Sequence, residues 1–318
     1  MIEQIAELLK HDTAGDPISG LKWTHKTPGK IAEQLHRLGI TVSSRTVARL
    51  LKNMGFSLRV NHKKLESGNR NPPPRHVRDQ QFGYISQMRK AFAGRGSPII
   101  SIDAKKKELI GKFKNNGMTW ELEPCLVNDH DFRTDAVGRA VPYGIYDTLA
   151  NRGFVVVGTS RETPAFAVDA ITSWWKSTGS RMYPEAHEVL ILADCGGGNA
   201  ARSRVWKYRL QHVLCNRHDV TVTICHYPPG ASKWNPIEHR LFSEISKNWA
   251  GKPLESFETV LKCIRATRTS SGLRVNARLV QKKYENGEKV ADTKMKELSL
   301  SRHDVLPDWN DTLAPSIM

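Results

Sequence analysis

Three acidic residues stand where the sequence changes from apolar to polar. Asp103 follows the apolar run in SPIISIDAKKKELIG, and Asp194 ends the run EVLILAD before a glycine turn. Glu238 lies in the segment ASKWNPIEHRLFS, at the start of a predicted helix. In α/β sheets, ligands bind outside the carboxyl ends of the strands, so acids at those ends are well placed for chemistry. Taken singly, each aspartate is more simply interpreted as a turn or cap residue.

Glu238 has two interpretations. In the first, Asn235 is the N-cap, Pro236 is the first helical residue and Glu238 completes a capping arrangement. In the second, Glu238 belongs to the apolar stripe of its helix, because it precedes Leu241 and Phe242 by three and four residues. A carboxylate on that stripe points towards the sheet, which is costly unless a cation or hydrogen-bond donors meet it. We therefore predict that Glu238 points inward, whether or not it also caps the helix.

Together, the three carboxylates predict a metal-dependent catalytic site. They supply the hard oxygen ligands that Mg²⁺ prefers, and Mn²⁺ is the alternative cofactor. Two such ions about 4 Å apart can activate a nucleophilic oxygen and stabilise the leaving oxygen of a phosphodiester. We therefore predict that Asp103, Asp194 and Glu238 are both the metal ligands and the catalytic residues of a site that cleaves or joins nucleic acid.

Predicted strands and helices alternate around these acids. Strands are predicted to end near Asp103, to cover 153–160 and 220–229, and to run from 188 to Asp194 before a glycine turn that reaches 198, with helices over 163–178, 200–214 and 235–249. This alternation indicates an α/β domain with a mixed or partly parallel sheet, which we assign to residues 98–260. Residues 261–318 are polar, basic and weakly patterned, and we predict that they form a C-terminal extension.

The first 70 residues predict a separate, all-α domain. Apolar residues recur at helical spacing before Gly39 and again before Gly55, and Ser43 or Ser44 can cap the second of these helices. Two short helices joined by a glycine-containing turn are typical of a helix-turn-helix. The proline-rich stretch that follows cannot continue a helix, so residues 71–97 are predicted to be a linker and a connecting helix.

The second helix of this pair carries an outward basic face. Its cations are Arg45, Arg49 and Lys52, and Lys63 and Lys64 follow in a basic segment that resembles a wing. Cations at these positions can reach phosphates and base edges in the major groove of DNA. A solvated face on an ordinary helical hairpin is the alternative. Charge, helix length and turn together favour DNA binding.

Global composition points to the same kind of partner. The net charge of +16 and the isoelectric point near 9.7 favour a polyanion, and nucleic acid is the commonest one for such a chain. The five cysteines are irregularly spaced, which argues against a disulfide framework. The sequence predicts no membrane span and no signal peptide, so we expect a cytoplasmic protein associated with the nucleoid.

Four sequence blocks resemble those of bacterial insertion-sequence transposases of the DDE type. They are SIDAKKKELIG, VNDHDF followed by VPYGIYD, ADCGGGNAAR, and HYPPGASKWNPIEHRLFSEISKNW. The group that is most similar is the Rhodopirellula-type DDE transposase family, which is related to the mariner-like superfamily. The interval between Asp194 and Glu238 is longer than is typical of mariner-like relatives. One helix-turn-helix is also less DNA-binding sequence than such transposases often carry, as expected for an N-terminally shortened copy.

This resemblance implies an RNase H-like catalytic domain with Asp103, Asp194 and Glu238 as its triad. The implied activity is phosphodiester cleavage and strand transfer with two divalent metal ions, on the terminal repeats of an element and on target DNA. A homodimer is expected on DNA, and Lys105 and Lys106 are expected to contact phosphates. Two alternatives stay open, namely a non-catalytic DNA-binding protein (a regulator or a decayed transposase) and a different metal-dependent nuclease on the same fold.

Overall fold

The chain divides into two compact units, Met1–Leu65 and Glu66–Met318. The computed structural model describes residues 2–10, 13–15, 22–24, 27–56, 73–119 and 121–316. Each unit has a hydrophobic core of its own. The domain boundary predicted at residue 70 falls outside the described residues.

The described part of the N-terminal unit contains helices and one pair of short strands. These elements are α1 (Ile2–Lys10), β1 (Thr13–Gly15), β2 (Lys22–Thr24), α2 (Pro28–Arg37) and α3 (Ser44–Asn53). Because β1 and β2 pair antiparallel, the unit is not all-α as the sequence predicts. The strands contain threonine and tryptophan, which favour extended backbone, but each is too short for a recognisable alternating pattern.

Helices α2 and α3 begin and end where the sequence predicts. Thr27 and Ser43 each accept a hydrogen bond from the backbone N–H three residues further on, at 3.3 and 3.2 Å. Gly39 and Gly55 follow the two helices with φ of +78° and +85°, a left-handed conformation that ends a helix and suits glycine. The serine cap and both glycine stops are therefore confirmed.

The predicted DNA-binding cations of α3 lie on its solvent side. Arg45, Arg49 and Lys52 are exposed, whereas Val47 and Leu51 on the opposite side are buried in the core of the unit. DNA binding by this face stays a prediction. Lys63 and Lys64 lie outside the described residues.

The second unit is built on one sheet. Its strands are β3 (Ile99–Ala104), β4 (Glu108–Ile110), β5 (Gly138–Asp147), β6 (Arg152–Gly158), β7 (Glu188–Ala193), β8 (Thr221–His226), β9 (Arg274–Val280), β10 (Leu300–Arg302) and β11 (Asn310–Leu313). Its α-helices are α4 (Arg75–Gly94), α5 (Pro164–Trp174), α6 (Ser180–Met182), α7 (Arg204–Arg209), α8 (Asn216–His218), α9 (Ser243–Asn248), α10 (Phe257–Ala266) and α11 (Asp292–Lys296). Wider π turns cover Trp175–Gly179, Leu210–Cys215 and Glu238–Phe242.

The centre of the sheet has an RNase H-like topology. Its order is β10-β11-β8-β7-β3-β5-β6-β9, and β4 pairs with β5. The first five long strands along the chain are β3, β5, β6, β7 and β8, which therefore lie in the spatial order 3-2-1-4-5. Strand β5 is antiparallel to β3 and β6, whereas β3, β7 and β8 are parallel. The predicted mixed α/β fold is confirmed.

The two faces of the sheet carry different layers. Side chains alternate along a strand, so Ile100 and Ile102 of β3 face one layer, which contains α5 and α7. Ser101 faces the other layer, where its hydroxyl contacts Asn235 and Ile237 at the start of the helical segment around Glu238. By the same alternation, Asp103 lies on the face that this segment covers.

The C-terminal residues belong to the sheet. We predicted a separate extension over 261–318, but β9 pairs parallel with β6 and β11 pairs antiparallel with β8. In β9, Val275 and Ala277 are buried, whereas Arg274 and Arg278 are exposed. The basic composition of this region is thus in part the exposed face of an edge strand, which hides the apolar pattern in the sequence.

Helix α4, predicted as a connecting helix, is locked onto the sheet. The Gln81 amide donates to the His226 carbonyl at 2.8 Å and to Asn310 Oδ1 at 2.8 Å, and Asn310 Nδ2 donates back to Gln81 Oε1 at 2.7 Å. Ile85 and Phe92 pack against the sheet. Within the described part of the chain, no helix is both long enough and apolar enough to cross a membrane.

Candidate active site

Asp103 is the second-last residue of β3 and pairs with Gly144 of β5. Its Oδ1 accepts a hydrogen bond from the backbone N–H of Ala104 at 2.7 Å. The side chain is partly buried on the face that it shares with Ser101. The carboxylate therefore lies at the carboxyl end of the central strand β3, and one backbone N–H donates to it.

Asp194 follows the last residue of β7 directly. Because β3 and β7 are parallel neighbours, the carboxyl ends of both strands lie at the same edge, and Asp194 comes close to Asp103. Asp194 Oδ1 accepts from the Gly196 backbone N–H at 3.2 Å and from Asn199 Nδ2 at 3.3 Å. The glycine turn thus orients this carboxylate.

The start of the helical segment that carries Glu238 is tied to β3 by Asn235. The Asn235 amide is fully buried, donates to the Ile102 carbonyl at 3.2 Å and accepts from the Ser101 hydroxyl. The same hydroxyl accepts from the backbone N–H of Ile237 at 3.1 Å. The predicted cap is therefore wrong for the side chain: the Asn235 carbonyl accepts from the Glu238 N–H at 3.1 Å, but the Asn235 amide bonds to the strand instead of capping the helix. The result is that Glu238 is held directly above β3.

A π turn, Glu238–Phe242, then packs into a depression made by two glycines. A Cβ atom on Gly144 would lie 2.5 Å from Phe242 Cε1, and one on Gly153 would lie 2.5 Å from Leu241 Cδ1. Real Cβ atoms do not come this close to other atoms, so a larger residue at either position would force Phe242 or Leu241 to move. The buried stripe confirms that the inward face of this segment was predicted correctly.

The three predicted carboxylates influence one another. Burial first, then the charge of Asp194, and to a smaller extent Glu238, raise the pKa of Asp103 to about 8, while the hydrogen bond from the Ala104 N–H opposes the increase. Burial also raises the pKa of Asp194, and the charge of Glu162 adds to it, while its two hydrogen-bond donors oppose the increase. Asp103 thus lies within electrostatic range of both Asp194 and Glu238.

The three carboxylates are the type of ligand that a divalent cation binds, although they are not gathered into a complete coordination site. Among the residues that the structure describes, no three His, Cys, Asp or Glu side chains are gathered closely enough to hold a metal ion. Carboxylates that repel one another keep apart or share a proton until a positive charge compensates them. The raised pKa values of Asp103 and Asp194 indicate that this compensation is missing among their protein neighbours. Their oxygens are the ligands that Mg²⁺ prefers.

Two residues that the sequence did not single out also face this edge. Tyr143 of β5 is buried, and its hydroxyl has no hydrogen-bond partner among the described residues. Burial raises its pKa well above the usual value, and the charges of Asp103, Asp194 and Glu162 add to the effect. Glu162 follows β6 and forms an ion pair with Lys107 at 3.3 Å. Tyr143 lies in the block VPYGIYD and Glu162 lies in none, and no role is predicted for either residue. Both become neighbours of the acids only when β5 and β6 join the sheet.

Asn199 is itself held by a buried histidine. The His226 ring Nε2 lies 2.8 Å from the Asn199 carbonyl, and its Nδ1 lies 3.2 Å from the Trp309 carbonyl. Burial lowers the pKa of this imidazole, which favours the neutral ring. The Asn199 amide then reaches Asp194, so the histidine supports the carboxylate through one intermediate residue. His226 is the last residue of β8, which is parallel to β7, so it lies at the same end of the sheet as Asp194.

The lysines after Asp103 differ in their surroundings. Lys105 is nearly buried, its Nζ lies 3.1 Å from Glu108 Oε1, and it stacks 4.6 Å from the centre of the Trp249 ring. Lys106 is exposed. Lys105 therefore stabilises the packing of α9 on β3, whereas Lys106 is free to meet a ligand. The expected phosphate contact of Lys105 stays a prediction, and this geometry does not favour it.

Comparison with known proteins identifies the relatives of this chain. The family model described as the Rhodopirellula transposase DDE domain matches residues 4–315. No curated protein sequence matches the chain. A structure of the Mos1 transposase paired-end complex with left transposon end is similar at 14% identity and a TM-score of 0.44, over 82% of this chain and 69% of that one. The Mos1 strand transfer complex is similar at 15% identity and a TM-score of 0.42, over 82% and 68% of the two chains.

Proposed function

Because this chain belongs to the Rhodopirellula transposase DDE-domain family and is a DNA transposase, we propose that Asp103, Asp194 and Glu238 are its catalytic carboxylates. Membership of the family implies polynucleotidyl transferase activity. The observation that carries the proposal is that Asp103 and Asp194 lie at the carboxyl ends of the parallel neighbours β3 and β7, where the charges of Asp194 and Glu238 add to burial in raising the pKa of Asp103. Acids brought together against their own repulsion are typical of a functional site.

The proposed cofactor is Mg²⁺ or Mn²⁺, with two ions held by Asp103, Asp194 and Glu238. When bound, such ions supply a lowered pKa for an attacking water and positive charge for the leaving oxygen. The protein supplies the orientation. The Gly196 N–H and the Asn199 amide fix Asp194, and the bonds of Asn235 to β3 fix the start of the segment that carries Glu238.

The proposed reaction has two steps at one site. In the first, a water oxygen attacks the phosphorus at an element end, the bond from phosphorus to the 3′ oxygen breaks, and the 3′ oxygen leaves as a hydroxyl. In the second, that hydroxyl oxygen attacks a phosphorus of target DNA and displaces the 3′ oxygen of the target strand. Because nucleophile and leaving group are oxygens in both steps, one arrangement of carboxylates serves both.

The proposed partners are the terminal repeats of an element and the target DNA. Recognition is assigned to the exposed Arg45, Arg49 and Lys52 of α3, whose helix has the length and charge for a major groove. Lys106 is assigned to a phosphate near the site. We further propose that the chain acts as a homodimer on DNA, in the cytoplasm and at the nucleoid.

A cleavage assay on duplex DNA with the element ends tests this proposal. Wild-type protein with Mg²⁺ is expected to cut the ends and to join them to a target, whereas Asp194→Asn is expected to do neither while binding DNA normally. Equal cleavage by wild type and variant would show that the carboxylate assignment is wrong. Cut ends without joined product would indicate a plain nuclease, and DNA binding without any cleavage would indicate a regulator.

A further inference from the structure

An open groove of about 490 Å³ lies beside β4, where the chain continues from Asp103. Its wall is rich in cations and its floor is apolar. The residues that line it are Lys106, Lys107, Glu108, Leu109, Phe113, Lys114, Asn115, Asp131, Arg133, Arg139 and Leu254. We call this set the basic groove. Five of its members are cationic and two are acidic, so its wall carries a net positive charge.

Most of these cations are not neutralised by the protein. Glu108 is already paired with Lys105, and Lys107 is paired with Glu162. Lys106, Lys114, Arg133 and Arg139 are exposed, and none of the four forms an ion pair with a carboxylate of the described residues. An excess of cations over carboxylates raises the local concentration of anions, so the basic groove favours a polyanionic ligand.

The groove is part of the framework of the unit. Arg139 lies at the start of β5, opposite Leu109 of β4. The Asn115 amide donates to the Trp249 carbonyl at 3.0 Å, and the Gly111 N–H donates to the Leu254 carbonyl at 2.9 Å. Phe113 and Leu254 are buried at the floor. Arg139 therefore projects from a strand of the sheet, and Lys114 lies between two residues that are bonded to the segment after α9.

The basic groove lies close in the chain to Asp103, one of the proposed catalytic acids. Lys106 is three residues beyond Asp103, so their Cα atoms are at most about 11 Å apart. Phosphates follow one another every ~3.4 Å of axis along one strand of B-DNA. An anion in the groove can therefore be the same DNA strand, a few nucleotides away from a phosphate that lies at the acids.

We propose that the basic groove binds the backbone of duplex DNA next to the scissile phosphate, with Lys114, Arg133 and Arg139 each contacting a phosphate. This inference rests on the proposed function, because it takes Asp103 as the position of the reacting phosphate. The groove extends the DNA contact beyond Lys106 to residues of β5 and of the segment between β4 and β5. Its contribution is independent of base sequence, since the cations meet phosphates and not base edges.

The test compares full-length protein with the triple variant Lys114→Gln, Arg133→Gln, Arg139→Gln. Affinity for a short duplex is measured by fluorescence anisotropy over a series of NaCl concentrations. Each lost phosphate contact is expected to reduce the slope of log K against log salt by about 0.9, so the triple variant should lose about 2 to 3 units of slope. Its dissociation constant at moderate salt should rise at least about tenfold.

A matched control removes the same charge elsewhere. Lys283, Lys289 and Lys296 are equally exposed, carry no ion pair with the described carboxylates, and lie in the segment that packs with Tyr284 against the opposite face of the sheet. Their triple replacement by glutamine is expected to leave the slope nearly unchanged. Circular dichroism melting shows whether each variant is folded.

The outcomes separate the two proposals. A wild-type slope in the groove variant, or an equal loss in the control variant, would overturn the basic groove. The Asp194→Asn variant is expected to keep the full slope while losing cleavage. If the groove variant loses its slope although wild-type protein does not cleave element ends, the groove stands and the proposed catalytic function fails.

Discussion

The ends of β3 and β7 present the same chemical group in two different environments. Asp103 at the first end receives one backbone hydrogen bond and lies against Glu238, and its pKa is raised to about 8. Asp194 at the second end receives hydrogen bonds from a backbone N–H and from Asn199. Burial is the main cause of the raised pKa at both ends. Neighbouring acids add to it at Asp103, whereas the turn after β7 orients Asp194 and opposes the increase.

This difference indicates how a site of like charges can be built into a stable sheet. The pKa of Asp194 is also raised, but hydrogen-bond donors lower the cost of ionising a carboxylate and keep it in a fixed direction. A carboxylate that faces other acids is unfavourable when ionised and becomes favourable when a cation arrives. We expect the β7 end to set direction and the β3 end to respond to the metal.

The largest expected effect on activity comes from removing the charge of either Asp103 or Asp194. Asp103→Asn and Asp194→Asn are each expected to lower cleavage of element-end DNA by at least about a thousandfold, or roughly 4 kcal/mol of barrier. The exposed Asp129→Asn is the control, with activity near that of wild type. Single-turnover rates with saturating Mg²⁺ measure the effect. A nearly active Asp103 variant would mean that only the β7 end is catalytic.

The next effect tests whether Asp194 depends on its turn. Asn199→Ala removes the amide that donates to Asp194, and it is expected to lower activity or metal affinity by about 10- to 100-fold. Because the carboxylate itself remains, higher Mn²⁺ should restore part of the rate. The exposed Asn116→Ala serves as control. No recovery at high Mn²⁺, together with a lowered melting temperature, would point to a fold defect instead.

A smaller effect is expected at the packing that sets the depth of Glu238. Gly144→Ala places a methyl group where Phe242 and Ile237 now pack, so the π turn must shift away from β3. We expect about a tenfold loss of activity and a cost of about 1–3 kcal/mol in stability. Adding Phe242→Leu should recover part of both. Gly94→Ala, a helical glycine with open space around it, should change neither.

The smallest effect concerns the free energy of unfolding of the metal-free protein. Here Asp103→Asn is expected to stabilise the protein, although it impairs activity. The folded-state pKa of Asp103, about 8, lies above its ordinary value of 3.8. The unfolded chain therefore binds fewer protons between these pH values, and this residue makes stability fall as pH rises from about 4 to 8. In chelator, Asp103→Asn should raise the free energy of unfolding at pH 9 by about 1–3 kcal/mol, allowing for partial solvent exposure. At pH 4 it should change little.

Denaturant unfolding at both pH values measures this difference. The exposed Asp129→Asn should show none at either pH. If Asp103→Asn destabilises the protein at pH 9, the carboxylate at the β3 end is stabilised by its surroundings, and the contrast between the two strand ends is wrong.

Much of the fold could be predicted because strong local patterns mark it. The apolar runs before Asp103 and Asp194 became β3 and β7, and the stripe after Glu238 became a buried helical face. These patterns specify which side of an element is inside. They were enough to place the three acids on elements that meet.

Features that depend on distant partners could not be predicted. Asn235 has the sequence context of a cap, but its amide bonds to a strand more than a hundred residues earlier. Lys105 resembles its neighbour Lys106 until α9 covers it with Trp249. Tyr143 lies in the block VPYGIYD, which predicts no role for it. The arginines of β9 hide its buried residues in the sequence, and β11 (NDTL) is too short and polar to suggest burial. In each case the decisive contact is tertiary.

The π turn at Glu238–Phe242 has a consequence for how this segment can change over generations. Such a turn holds one residue more than an α-helical turn, which is what a single inserted codon produces. Deleting one residue there would rotate everything on one side by about 100° relative to the other, so Glu238 and Trp249 could not both keep their present directions. The number of residues in this segment therefore determines the direction in which Glu238 points.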